Sequence, residues 1–186
     1  LIENNKFYNN FRGIEIGDVI YIDFKERITQ RLKIEESKYN IIKNNTFKKN
    51  SRALIIDSGT ENTIKNNNFY SENHHGLVLS YSKNIIVDSN NFFGCGIDIW
   101  GNDISHYVHI IKANKVNGKD LYYIYDQDDV SIIGNAGQII LVECDDGEIT
   151  DNIITNTSTG ILLAFCKRII IINCELKESY RGVYLY

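Results

Sequence analysis

The chain contains no proline, no methionine and a single tryptophan, Trp100. Proline removes a backbone donor and breaks strand ladders, so its absence fits a chain built mostly of stacked strands. No apolar run approaches the roughly 18 residues of a membrane span, and no signal peptide stands at the start. Basic residues are scattered and the net charge is −4, which leaves no electrostatic footprint for nucleic acid. Amphipathic runs of about 10 residues are also missing, which argues against a helical repeat. None of the four cysteines shows a C-x-x-C zinc spacing. The missing methionine extends to position 1, and the chain opens and closes inside strand-like repeats. The expectation is one domain over residues 1–186, excerpted from a longer chain.

What is present is a recurring phrase: an aliphatic residue, two variable residues, Asn, one variable residue and a large apolar residue. It reads Ile2/Asn5/Phe7, Ile42/Asn45/Phe47, Ile64/Asn67/Phe69, Val87/Asn90/Phe92, Ile111/Asn114/Val116 and Ile149/Asn152/Ile154, with Cys174 replacing Asn in Ile171/Cys174/Leu176. Ile132 and Asn135 form a partial copy. From Asn45 onward the Asn spacings are 22, 23, 24, 21 and 17 residues, and Cys174 follows 22 later. A fixed period of this length with short strands is the mark of a stacked β-solenoid. The Asn is expected at a sharp corner, where it tolerates left-handed backbone and where its amide bonds to the coils above and below.

A second strand follows each corner, as in Gly13-Ile14-Glu15-Ile16, Gly76-Leu77-Val78-Leu79, Gly96-Ile97-Asp98-Ile99 and Gly160-Ile161-Leu162-Leu163. Alternation places Ile14, Ile16, Leu77, Leu79, Ile97 and Ile99 inside and their neighbours outside. This predicts about nine coils in one rod, about 40 Å long at roughly 4.8 Å per coil. The second coil, from Asp18 to Lys38, lacks an Asn corner. Asn117-Gly118-Lys119-Asp120 reads as the turn of the long coil from His106.

The phrases Asn40-Ile41-Ile42-Lys43-Asn44-Asn45-Thr46-Phe47 and Asn62-Thr63-Ile64-Lys65-Asn66-Asn67-Asn68-Phe69 resemble the parallel β-helix repeats of the pectate-lyase-like superfamily, nearest to the NosD-type carbohydrate-binding and sugar-hydrolase repeat proteins. The resemblance covers nearly the whole chain and implies an all-β, right-handed single-stranded parallel β-helix with an Asn ladder. It also implies an extracellular, cell-surface or periplasmic setting. The same repeat scaffolds lyases, hydrolases, epimerases and proteins without chemistry, so activity must be argued from the site. NosD likeness further suggests periplasmic metallation, for which a chain with no Met and scattered His is poorly equipped.

The substrate groove of such folds runs along the outer face of the second strand. There the rod would put Trp100 directly below Tyr125 and Asp98 below Tyr123. Aromatic faces stack on sugar rings, and carboxylates bind hydroxyls or move protons. Trp100, Tyr123, Tyr125 and His106 are thus the candidate substrate-binding residues, and Asp98, Asp103, Asp126 and Asp128 the candidate catalytic carboxylates. Glu143, Asp145 and Asp146 join the same turns, and this oxygen-rich group could instead hold Ca²⁺. The expected function is polysaccharide binding, with a polysaccharide lyase, hydrolase or epimerase, or a structural stalk, as alternatives. Ile140, Val142, Leu162 and Ala164 would form an apolar outer strip, which a loop, another part of the chain or a second subunit must cover. Cys144 and Cys166 should sit on neighbouring coils, as stacked thiols or as a disulfide.

Overall fold

The computed structural model of the chain describes residues 1–17 and 37–186. The strands expected at Val19-Ile20-Tyr21-Ile22 and Arg31-Leu32-Lys33-Ile34 lie outside the described residues. The described chain is almost entirely strand, and the strands pair in parallel from coil to coil as a right-handed β-helix. The aliphatic residue of the repeat is the register mark: Ile2, Ile42, Ile64, Val87 and Ile111 pair in turn across five short strands. The large apolar residue builds a second column inside, where Phe7, Phe47, Phe69 and Phe92 stack with centroids 5.0, 4.8 and 4.7 Å apart. Those spacings are the distance between neighbouring strands, so one ring per coil fills the column without a gap.

The Asn ladder forms over the first half of the chain. Asn67 Oδ1 accepts from the Asn45 backbone N–H at 2.9 Å, and Asn90 Oδ1 accepts from the Asn67 N–H at 2.9 Å. Each Nδ2 donates to the coil below, Asn67 to Ile42 O and Asn90 to Ile64 O, both at 2.9 Å. Asn5, Asn45 and Asn114 extend the same pattern. One detail differs from expectation. The left-handed residue is the one before the ladder Asn: Asn4, Asn44, Asn66, Ser89 and Ala113 have φ between 54° and 59°. The ladder Asn is selected for its hydrogen bonds, and the residue before it makes the bend.

The longer strands are β1 (Arg12–Ile16), β2 (Arg52–Asp57), β3 (Asn68–Ser80), β4 (Asn91–Trp100), β5 (Lys115–Val116), β6 (Lys119–Tyr125), β7 (Ala136–Val142), β8 (Thr159–Ala164) and β9 (Arg181–Leu185). Strands β1 to β4 pair in order and in parallel, and β5 pairs in parallel with β4 through Asn91 and Phe92. Then the chain reverses. β5 and β6 are antiparallel, Val116 against Lys119, across Asn117 (φ 52°) and Gly118 (φ 81°). Two successive positive φ values at Asn-Gly are those of a type I′ hairpin turn. Beyond it, β6, β7, β8 and β9 run parallel to one another as a second stack.

The molecule is therefore two β-helical arms joined by a hairpin, and the continuous rod expected from the period is not formed. Ile139, Leu141, Ile161 and Leu163 line the second arm's own interior with Cys144, Ile149 and Ile154. Their alternates Ile140, Val142, Leu162 and Ala164 pack with the core of the first arm, among Ile97, Ile99 and Tyr107. The apolar outer strip is thus covered from within the chain: it lies over the end of the first arm, and all four residues are at most 1% exposed. No surface remains there for a subunit or flanking domain. All four cysteines are free thiols.

Polar side chains seal the same seam. Past Phe92, strand β4 has no further parallel partner on that side among the described residues. Gln138 takes the place of one, accepting from Ile97 N–H at 3.0 Å and donating to Ile97 O at 2.7 Å. Ser158 Oγ accepts from Gly96 N–H at 3.0 Å. A Cβ at Gly96 would collide with Thr157 Oγ1 and stand 2.5 Å from Gln138 Oε1, so a larger residue there would push the Gln138 carboxamide from its bonds. In the second arm the ladder thins. Gly134 (φ 59°) and Asn135 (φ 61°) both take the left-handed conformation, leaving Asn135 exposed and Ala136 N–H bonded to Asn152 Oδ1 at 3.1 Å. Cys174 replaces the next amide with a 3.6 Å contact to Ile149 O.

Candidate functional site

The reversal redistributes the residues expected on one outer column. Tyr123 and Tyr125 pair with Ile140 and Val142 of β7, so neither lies above Asp98 or Trp100. Asp98 is 1% exposed and bonded on both oxygens: His75 Nδ1 is 2.9 Å from Oδ2 and Thr159 Oγ1 donates to Oδ1 at 3.0 Å. It is a tie across the seam, without an open face for a substrate. Trp100 lies under the Arg181 guanidinium at 5.5 Å, with Tyr184 at 4.8 Å from the same group, so its ring already has a partner. Tyr123 is a structural post, donating to Tyr107 O at 2.7 Å and accepting from His109 N–H at 2.9 Å. Burial pushes its hydroxyl up to about 12.

The remaining expected carboxylates do converge. Just beyond the end of β4, Asp103 meets Asp126 and Asp128, which follow β6, and Glu143 and Asp145, which follow β7. They line a cleft of about 670 Å³ between the two arms, with Ile104 and Phe165 as its apolar lining, Lys167 in its wall and the Arg168 guanidinium 3.6 Å from Asp145. Each acid sits there because the turn ending a long strand needs residues that tolerate tight or left-handed backbone, as at Asp126 (φ 54°) and Glu143 (φ 52°). Asp103 caps the short 3₁₀ turn Ile104–His106, accepting from Ser105 N–H at 2.9 Å. Its carboxyl is held below the usual range, by the Ser105 hydroxyl first and that N–H second. The Tyr125 hydroxyl is raised, by burial first and by the nearby Glu143 and Asp126 after it. His106 packs edge-on against Tyr81 at 5.5 Å, and burial lowers its pKa. Among the described residues no three His, Cys, Asp or Glu side chains are placed to hold a metal ion, so the acidic group does not provide the Ca²⁺ cage considered from sequence.

His109 occupies a corner position in the first arm. Its Nδ1 accepts from Ile85 N–H at 3.3 Å, as Asn62 Oδ1 accepts from Asn40 N–H at 2.8 Å two coils back along the stack. A proton on Nδ1 would displace that donor, and burial lowers the His109 pKa to about 4. A depressed folded pKa means that the unfolded chain takes up the proton first. This contribution to stability is whole above the unfolded value near 6.5 and drains away as pH falls to 4. The loss is about 3 kcal/mol. Urea titrations at pH 7 and pH 4 should show this fall, and His109→Asn, which keeps an acceptor in place, should flatten it.

Sequence reasoning missed a second group, at the opposite end of β4. Tyr70 and Phe93 stack outside at 4.7 Å, beside Lys48 and Lys49. These residues follow the ladder Asn by three positions, as Lys48 does Asn45, outside the strand after the variable stretch whose alternation marks the outer face.

A parallel solenoid carrying clefts at its arm junction is the class that this geometry defines. The family model described as "Right handed beta helix region" matches residues 1–112, and the chain belongs to that family. A second model, described as "Periplasmic copper-binding protein (NosD)", matches residues 95–186, so the repeats of that part are of NosD type. No curated protein and no solved structure matches the chain.

Proposed function

We propose that this is a periplasmic or cell-surface β-helix protein that binds polysaccharide, without cleaving it, in the acidic cleft between its arms. The observation that carries the reading is the cleft itself: about 670 Å³, with Asp103, Asp126, Asp128, Glu143 and Asp145 around an Ile104 and Phe165 lining. That volume and that mixture of polar groups over apolar surface suit a saccharide ring. Five carboxylates against Lys167 and the Arg168 guanidinium that reaches Asp145 favour a neutral or amino-sugar chain and repel a uronide.

A hydrolase needs a carboxyl with raised pKa as its acid. Asp103 is held in the opposite direction, and Asp98 is enclosed by His75 and Thr159. The copper named for the NosD family does not suit these residues. The chain has no Met, Cys95 is buried with its thiol pushed up to about 12, and no ligating trio occurs among the described residues.

Calorimetry with chitosan oligomers, cellodextrins and polygalacturonate tests the reading. Chitosan oligomers should bind, Asp126→Asn/Asp128→Asn should weaken them by about tenfold, and 0.5 M salt should do much the same. Polygalacturonate should not bind, and no new reducing ends or unsaturated products should form. Absence of binding by all three glycans would leave the structural stalk as the better account.

A further inference from the structure

The second cleft, at the start of β4, has the opposite chemistry. Its volume is about 350 Å³, and Lys48, Lys49, Tyr70, Phe93 and Asn156 line its wall. Lys48, Tyr70 and Phe93 occupy one outward column on successive coils. The rings of Tyr70 and Phe93 are parallel within 8°, and each residue remains 38% exposed. They form a continuous apolar platform that nothing in the described chain covers. Among the described residues neither Lys48 nor Lys49 joins a salt bridge, whereas Lys43 and Lys65 on the neighbouring face are paired with Glu3 and Asp88. Among the described side chains no carboxylate lines the cleft.

Asn156 comes from the second arm and is fixed by its backbone: its carbonyl accepts from Asn117 Nδ2 at 2.9 Å and its N–H donates to Lys177 O at 3.0 Å. Its carboxamide lies beside Gly94, where a Cβ would stand 3.5 Å from Nδ2. Gly94, at φ 68°, places no side chain between that amide and the two lysines. An arm-to-arm contact therefore presents an amide to a cleft otherwise made of cations and aromatic surface.

We infer that this cleft binds a sugar unit carrying a phosphate monoester, with the phosphate on Lys48 and Lys49, the ring on the Tyr70 and Phe93 platform, and a hydroxyl on the Asn156 carboxamide. The charge count selects the ligand. Two ammonium groups without a countercharge among the described side chains match a phosphate of about −1.5 to −2 at neutral pH better than a single carboxylate. The apolar C–H face of a pyranose suits the aromatic pair, and a carboxamide both donates to and accepts from hydroxyls. The inference is independent of glycan binding at the acidic cleft.

The test is a titration of the protein in low salt with glucose 6-phosphate, glucose, glucuronate and inorganic phosphate, followed by calorimetry and by the aromatic NMR signals of Tyr70 and Phe93. Glucose 6-phosphate should bind at least about tenfold tighter than each of the others, since each of them lacks the phosphate, the second charge or the ring. Lys48→Gln/Lys49→Gln should weaken it by about tenfold or more, Tyr70→Ser should weaken it without changing the binding of inorganic phosphate, and Asp126→Asn/Asp128→Asn should leave it unchanged. Both lysines are exposed, so the double variant keeps the fold, and its circular dichroism confirms that. No binding of glucose 6-phosphate, equal binding of inorganic phosphate or of glucuronate, or an unaffected lysine variant would each overturn the inference.

Discussion

Replacing Gln138 with Ala should lower the unfolding free energy by about 4 kcal/mol and loosen the two arms from each other. Strand β4 reaches the end of the first arm with an unpaired edge, and the Gln138 carboxamide meets Ile97 there with one donor and one acceptor. Both residues are fully buried, so the truncation leaves a backbone N–H and C=O with no water to turn to. Each orphaned group costs roughly 1 to 3 kcal/mol. Gln138→Glu keeps the acceptor for Ile97 N–H but loses the donor and buries a charge, so it should be no better tolerated. The urea midpoint measures the loss. Faster hydrogen exchange at Ile97, with the Asn67 amide still protected, would place it at the seam.

Asn67→Ala should cost somewhat less, about 3 kcal/mol, by a different route. The side chain accepts from Asn45 N–H at 2.9 Å and donates to Ile42 O at 2.9 Å, both buried, and its removal orphans the Asn45 N–H and takes one bond from Ile42 O. Asn45 Nδ2 keeps its bonds to Ile2 O and Lys43 O, so the damage stops one coil away. Asn67→Asp tests the assignment: as a carboxylate it preserves the acceptor, loses the donor and buries a charge, so it should recover little of the stability at neutral pH and more at a pH where the carboxyl is neutral and its O–H can donate. Denaturant titration of the three proteins under one buffer gives the comparison. A loss below about 1 kcal/mol for Asn67→Ala would mean that the ladder is ornamental.

Most of the first arm could be read directly from residue types. The aliphatic and aromatic columns follow from a period near 22, because each coil presents the same side chain to its neighbour, and the Asn positions follow from the same arithmetic. The bend was visible as Asn117-Gly118, a dipeptide that favours a two-residue hairpin, yet within a repeat it reads equally well as one more corner. Only the pairing of Val116 with Lys119 distinguishes the two. That single local choice decides the fate of Asp98 and Trp100, which the rod would have placed on an open face and the bend encloses. The apolar strip of Ile140, Val142, Leu162 and Ala164 carried the complementary message, since an outward row of that kind requires a cover. Its cover turned out to be the end of the first arm. The acidic cleft was half legible: Asp103, Asp126 and Asp128 stood out as turn residues, but their meeting depends on the two arms and on no sequence spacing.

The hairpin at Asn117 and Gly118 also makes each arm a ruler that can be changed alone. Adding or deleting a whole coil between Asn45 and Asn67 alters the reach of the first arm by one strand spacing, roughly 4.8 Å, while the elbow and the acidic cleft beside it keep their shape. Lineages of this architecture are thus free to vary the span between a fixed joint and whatever lies at the far tip, one module at a time.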